Sequence, residues 1–108
     1  MEIAFDDDEL EKLCSNAKYA ARKLGAISAK KLQSRLADIV AAHNVTELVA
    51  GKPHPLKGDR IGCLSIALHR GHRLVLRPDH NPAPSLEDGG TDWRRVTAVR
   101  VVEIGDYH

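Results

Sequence analysis

Aromatic side chains are scarce in this sequence: Phe5, Tyr19, Trp93 and Tyr107 are the whole set, 4% of 108 residues. Proteins that grip free single strands of nucleic acid stack bases on several aromatic faces, so a general single-strand binder fits poorly. Cysteine is scarcer still. Cys14 falls in a helical stretch and Cys63 in a strand stretch; the pattern excludes a disulfide-stapled scaffold, and two free thiols in a reducing cytoplasm are the expectation. No apolar run approaches the ~20 residues of a membrane span. The first residues are acidic where a secretory or transit segment would be basic, so a cytoplasmic protein is expected. His69, His72, His80 and His108 raise the question of a metal, but no CxxC, HxxxH or HExxH spacing accompanies them, so neither a metal nor another cofactor is expected. Internal repeats and low-complexity segments are absent too.

Net charge of one sign is also missing: the formal total is +1. The distribution is more telling. Residues 1–12 hold Glu2, Asp6, Asp7, Asp8, Glu9 and Glu11 against Lys12, whereas residues 52–77 hold Lys52, Lys57, Arg60, Arg70, Arg73 and Arg77 against Asp59. An acidic end and a basic stretch on one small domain point to a polyanionic partner.

Glu2 to Phe5 reads as a short first strand. Asp6 is placed to cap a helix, with Glu9 three residues on as in a capping box. Leu10, Leu13, Cys14, Ala17, Ala21 and Leu24 then form one amphipathic face, and Gly25 ends it. Ser28 is expected to cap a second helix with the stripe Leu32, Leu36, Ile39, Val40 and His43, making a helical hairpin. After Lys52 the period becomes two. Ile61 to Leu68 alternates Leu64, Ile66 and Leu68 against Cys63, Ser65 and Ala67; Arg70–Gly71 turns the chain into "HRLVLRP", where Arg73, Val75 and Arg77 share a face. Residues 78–95 carry three prolines and an adjacent glycine pair, a loop long enough to be functional or disordered. "VTAVRVVEIGDYH" closes the chain as a last strand and polar tail. The expectation is a single α+β domain over residues 1–108, β-α-α-β-β-β, with the helical hairpin on one face of an antiparallel sheet.

The most informative stretch is "HPLKGDRIGCLSIAL", His54 to Leu68. A turn needs only its proline and glycine, yet His54, Lys57, Asp59 and Arg60 crowd the strand entrance. Arg73 and Arg77 lie on the neighbouring strand, and Asp106, Tyr107 and His108 end the chain. Arginine presents a planar fork matched to phosphate oxygens and lysine a point charge. Histidine can take or give a proton near neutral pH. Such a set suits cleavage of RNA by its own 2′-hydroxyl: one imidazole accepts the hydroxyl proton, a protonated group donates to the leaving 5′-oxygen, and cations stabilise the phosphate. Asp59 is expected to hold Arg60 or close the turn.

"HPLKGDRIGCLSI", "HRLVLRP" and the terminal "EIGDYH" resemble the HigB branch of the RelE/ParE toxin superfamily over roughly Lys30 to His108. The resemblance implies a RelE-like fold with a long insertion at about 78–95, and a ribosome-dependent messenger RNA endonuclease without a cofactor. It implies as partners the ribosome with its mRNA and a helix-turn-helix, HigA-like antitoxin, and no membrane. His54, Asp106, Tyr107 and His108 match the branch's catalytic set, Lys57 and Arg73 its phosphate contacts, with Arg60 and Arg77 as further RNA-binding cations. Many relatives carry tryptophan where this chain has Leu64. A ParE-like toxin binding DNA gyrase without cutting RNA, and a non-catalytic partner-binding module, are the rival readings of the same fold; neither needs the histidines.

Overall fold

Three consecutive aspartates decide where the first helix begins. In the computed structural model, which describes residues 1–106, strand Glu2–Phe5 (β1) is followed by helix Asp8–Ser15 (α1). Asp7, not Asp6, caps it: the Asp7 carboxylate accepts the Leu10 N–H at 2.9 Å. Asp6 is drawn instead to Arg77 and Arg100, and Glu9 accepts the Tyr19 hydroxyl rather than completing a capping box.

The first expected helix is in fact two. Asn16 adopts an extended conformation, closes α1 with its backbone N–H, and caps helix Ala17–Leu24 (α2) by accepting the Tyr19 N–H at 3.0 Å. The break resets the apolar phase, so Ala20 is buried where Ala17 was expected, and Ala17 is exposed. Asparagine favours caps over helix interiors because its side chain competes for nearby backbone groups. Helix Ala26–Ala41 (α3) starts from Gly25, not Ser28. Ser28 lies inside it, 1% exposed, with its hydroxyl 2.7 Å from His72 Nδ1 and 3.2 Å from the His69 carbonyl. The α-amino group of Met1 donates to the carbonyls of Ile39, Val40 and Ala42, a positive charge where the helix dipole favours one. Val40 is 65% exposed and His43 exposed, so neither belongs to the buried stripe.

The sheet has five strands in the order β1-β5-β4-β3-β2, with β2 at His54–Pro55, β3 at Leu64–Ala67, β4 at His72–Pro78 and β5 at Ala98–Asp106. Pairing is antiparallel throughout except that β1 runs parallel to β5. Ile61 was expected inside a strand but is 80% exposed. A 3-10 turn at Gly58–Arg60 and a left-handed Gly62 hold the chain out of the sheet until Leu64. Arg70 and Gly71, both at positive φ, make the expected turn into β4. Leu64, Ile66, Leu74, Leu76, Val99 and Val101 pack with Leu10, Cys14, Leu32 and Ile39 into one core between helices and sheet. The alternation therefore leaves Ser65, Arg73 and Val75 on the opposite, open face. Within 78–95, Trp93 packs against the core and, with Pro55, Leu56, Ile61 and Gly89–Thr91, lines a cleft of about 460 Å³.

Gly51 ties this arrangement together before β2. Its carbonyl accepts the Ala67 N–H at 2.8 Å, its φ is +83°, and an added Cβ would lie 2.5 Å from Ile66 Cγ2 and 2.8 Å from the Ala67 carbonyl. Gly51→Ala should therefore lower stability by about 2–3 kcal/mol, from strain and forced separation at β3, measured by urea unfolding. A second prediction concerns the core. Burial pushes the Cys14 thiol from 9.0 up to about 12, so its contribution is fully present below pH 9 and lost between about 9 and 12, where the unfolded chain alone ionises. Wild-type stability should fall more steeply over that window than that of Cys14→Ala, in parallel urea titrations.

Candidate active site

Strand pairing sets Ser65 opposite both His54 on β2 and Val75 on β4, and sets Ala67 opposite Arg73. On the open face the Arg73 guanidinium reaches back over Ser65, donating from Nε to Oγ at 2.7 Å. Ser65 and Val75 are fully buried yet belong to neither apolar cluster, so they form the floor beneath these polar side chains. Arg73 Nη2 lies 3.4 Å from His54 Nδ1. The outcome is an arginine fork anchored at Nε, with its terminal nitrogens aimed at an exposed imidazole.

His54 is held from the other side by the backbone. Its Nδ1 is 3.1 Å from the carbonyl of Lys52, a residue at φ +50°. One nitrogen cannot donate to that carbonyl and accept from Arg73 at the same time. The carbonyl contact has the ordinary length of an N–H···O bond and the arginine contact is longer, so of the two neutral tautomers the geometry favours the one with its proton on Nδ1. The Nε2 lone pair is then left to accept one, as a general base requires.

The remaining expected residues divide into three groups. Arg60 is brought to the open face by an ion pair with Glu103 on β5, Nη1 to Oε2 at 2.9 Å and Nη2 donating to Oε1 at 3.0 Å. Asp59, expected to hold Arg60 or close the turn, lies within the Gly58–Arg60 turn, and Glu103, 43 residues away, is a carboxylate that pairs with Arg60. Lys57 is exposed and precedes the Gly58–Arg60 turn. Arg77 stands apart: it pairs with Asp6 at 3.4 Å, in a network where Arg100 faces Asp6 at 3.7 Å and Asp79 at 3.3 Å. Asp106 is exposed at the end of β5 and pairs in register with His72, whose imidazole contacts Ser28 of the helical layer. It is Gly105 that lies opposite Arg73. Tyr107 and His108 lie outside the described residues. Among the described residues no three His, Cys, Asp or Glu side chains converge to hold a metal ion.

Sequence reasoning missed Ser65, Glu103 and the Lys52 carbonyl. A signal existed for the first two: each is a polar residue between apolar neighbours in a strand, where a buried polar group needs a partner. The strained Gly51–Lys52 step had no signal beyond its glycine. Around Cys63, burial pushes the thiol up, while Arg60 and Arg77 pull it down and Glu103 adds to the rise; burial is the largest of these effects.

No family model matches the chain, and no curated protein matches it by sequence. Solved structures do match its fold. A YoeB/ParE toxin from Agrobacterium tumefaciens superposes with a TM-score of 0.63 at 17% identity, covering all of both chains. A YoeB–YefM complex and a YoeB dimer, both from Staphylococcus aureus, give TM-scores of 0.59 and 0.57 at 20% and 19% identity, over all of this chain and 98% of each of theirs. The protein thus has the α+β fold of these toxins, three helices packed on a five-stranded sheet.

The tautomer deduced for His54 can be observed directly. Long-range ¹⁵N–¹H correlation spectra above the imidazole titration should show Nδ1 protonated and Nε2 bare; the reverse pattern would make Arg73 the donor to His54 and remove Nε2 as the base.

Proposed function

We propose that this protein is the toxin of a type II toxin–antitoxin pair, of the HigB branch of the RelE/ParE superfamily, and acts as a ribosome-dependent mRNA endoribonuclease in the cytoplasm. The observation that carries the reading is the Arg73 guanidinium, anchored on Ser65 and facing His54. A phosphodiester placed over Ser65 would meet the arginine fork with its non-bridging oxygens and His54 with its 2′-hydroxyl. His54 Nε2 takes the hydroxyl proton, the 2′-oxygen attacks phosphorus, and the 5′-oxygen leaves with a proton from a second acid. That acid is assigned by resemblance to the terminal Asp106–Tyr107–His108 set. Lys57 contributes positive charge beside the same strand entrance, and Arg60 and Arg77 become further phosphate contacts if their pairings with Glu103 and Asp6 yield.

Dependence on the ribosome is supported by how the aromatic residues are used. Phe5 and Trp93 pack against the core, and the Tyr19 hydroxyl donates to Glu9 at 2.6 Å while the Lys12 ammonium sits 4.1 Å from its ring centre. Three of the four aromatics are thus committed, which leaves few stacking faces for a free strand and favours RNA presented by a larger assembly. An antitoxin partner follows the same reading, by likeness to the YoeB–YefM complex. No helix among the described residues is long and apolar enough to cross a membrane.

Primer extension on a defined message during translation tests the reading. Wild-type protein should produce cuts only with ribosomes. His54→Ala should slow single-turnover cleavage about 10²–10⁴-fold, and Arg73→Ala about 10²–10³-fold with little change in ribosome association. His108→Ala should abolish the cuts as well. Absence of cuts with every variant, wild type included, would overturn the nuclease and leave the gyrase-binding reading to be tested by a supercoiling assay.

A further inference from the structure

We infer that the cleft beside the β2 edge receives one unstacked base of the RNA strand, next to the nucleotide attacked at His54. The inference rests on the nuclease reading and adds a specificity pocket to it.

Two features of the sequence build this cleft. The first is the 78–95 segment, whose middle is a small hairpin and not a slack loop. The Asp92 N–H donates to the Pro84 carbonyl at 2.9 Å, the Leu86 N–H to the Gly90 carbonyl at 2.7 Å, and Ser85 pairs with Thr91. Asp88 closes the tip by accepting the Gly90 N–H at 2.8 Å. The second is the turn before β3, which leaves Ile61 80% exposed. Between the two lies the space of about 460 Å³, with Leu56, Ile61 and Trp93 as apolar walls. Gly62, Gly89 and Gly90 line it with bare backbone. An added Cβ at Gly62 or Gly89 would meet nothing within 4 Å, so both peptides are open to a flat group laid against them.

Strand order says what that group is. β2 is the edge of the sheet, and it carries His54 beyond Ser65 on β3 and Arg73 on β4. An RNA strand crossing from Arg73 to His54 therefore leaves the sheet at β2. The next residues of that edge, Pro55 and Leu56, line the cleft. Lys57 adjoins them in the chain and Arg94 adjoins Trp93; both are exposed, and neither takes part in an ion pair among the described residues. A base offers flat faces to Ile61 and Trp93 while its phosphates meet the cations. An aliphatic side chain of a partner protein would fill the apolar walls and leave both cations without anions. Thr91 lines the same cleft, and its hydroxyl can donate to or accept from a base edge, where the four bases differ. Trp93 also packs against the core, so it serves one base and not a run of them. A single seat of this kind reads a strand that a larger assembly presents.

Trp93 is the chain's single tryptophan, so its fluorescence reports on the cleft in the full chain. Uncleavable 2′-O-methyl RNA hexamers of A, C, G or U should quench it, with unequal affinities, and should shift the amides of residues 61–62 and 89–91. An abasic hexamer of the same backbone should do neither. Ile61→Asp should weaken the quenching about tenfold or more, with Tm within a few degrees of wild type. On translating ribosomes the same variant should redistribute the cuts along the message. Wild-type protein that binds hexamers in this cleft but cuts no message would overturn the nuclease reading and leave a base-binding site. Wild-type protein that cuts, yet shows no quenching or keeps the same cut pattern in Ile61→Asp, would overturn the inference and leave the nuclease. Equal shifts from the abasic hexamer would also overturn it, making the contact one of charge alone. So would sedimentation showing a dimer broken by Ile61→Asp, which would assign the cleft to a second copy.

Discussion

The open face of this molecule depends on the register between β3 and β4. Leu64 and Ile66 are set against Leu76 and Leu74, and all four are nearly or fully buried under the helices. Because side chains alternate, the same register sets Ser65, Val75 and Arg73 on the other side. A slip of one residue would drive Arg73 into the core and expose Leu74 and Leu76, so the apolar face enforces the polar one. The anchor of Arg73 on Ser65 is therefore not an independent feature of the fold. Packing on the far side of the sheet holds it in place, and so does Gly51, whose carbonyl bonds β3 at Ala67 just before the chain turns to His54.

Charge is distributed by the same logic. Residues 52–77 are strongly basic as a sequence, but in three dimensions Glu103 claims Arg60 and Asp6 claims Arg77. Arg73 differs from both. Among the described residues its contacts are Ser65 and His54, neither of them a carboxylate, so no ion pair there offsets its positive charge. A guanidinium held by a neutral hydroxyl is oriented without being neutralised, which an acidic partner could not achieve. The basic patch visible in the sequence thus shrinks to a small set of unpaired cations, and their positions carry more information than their number.

Much of the fold was legible because it rests on periodicity. The alternation from Leu64 to Leu68 and from Arg73 to Arg77, the Arg70–Gly71 turn and the apolar stripe from Leu10 to Cys14 all appear where the pattern put them. What was not legible rests on competition between equivalent candidates. Asp6, Asp7 and Asp8 are equally good caps in sequence, and only the distant Arg77 and Arg100 separate them. Asn16 within a long helical pattern is a modest local cost, and the sequence alone does not show that it ends one helix and caps the next. Ser28 looked like a cap because serine often is one; its true partner, His72, is 44 residues away. The pairing of β1 with β5 and that of Arg60 with Glu103 are likewise long-range, and no local window contains them.

The same division applies to the site. His54 and Arg73 come together because they share sheet-face parity on β2 and β4 with only β3 between, which the alternation predicts once the strands are in order. Asp106 belongs to the opposite parity on β5: its register partner is His72, and its neighbour Ile104 packs toward the core. A bulge between Val75 and Leu76 shifts the register along this pair of strands, which inspection of β5 alone does not reveal. Likeness to toxins at 17–20% identity establishes the scaffold, and a scaffold of this kind accommodates more than one activity. On the proposed reading the distinguishing chemistry rests on particular side chains and not on the scaffold, and the contact between His54 and Arg73 is the part of that arrangement that the strand order itself explains.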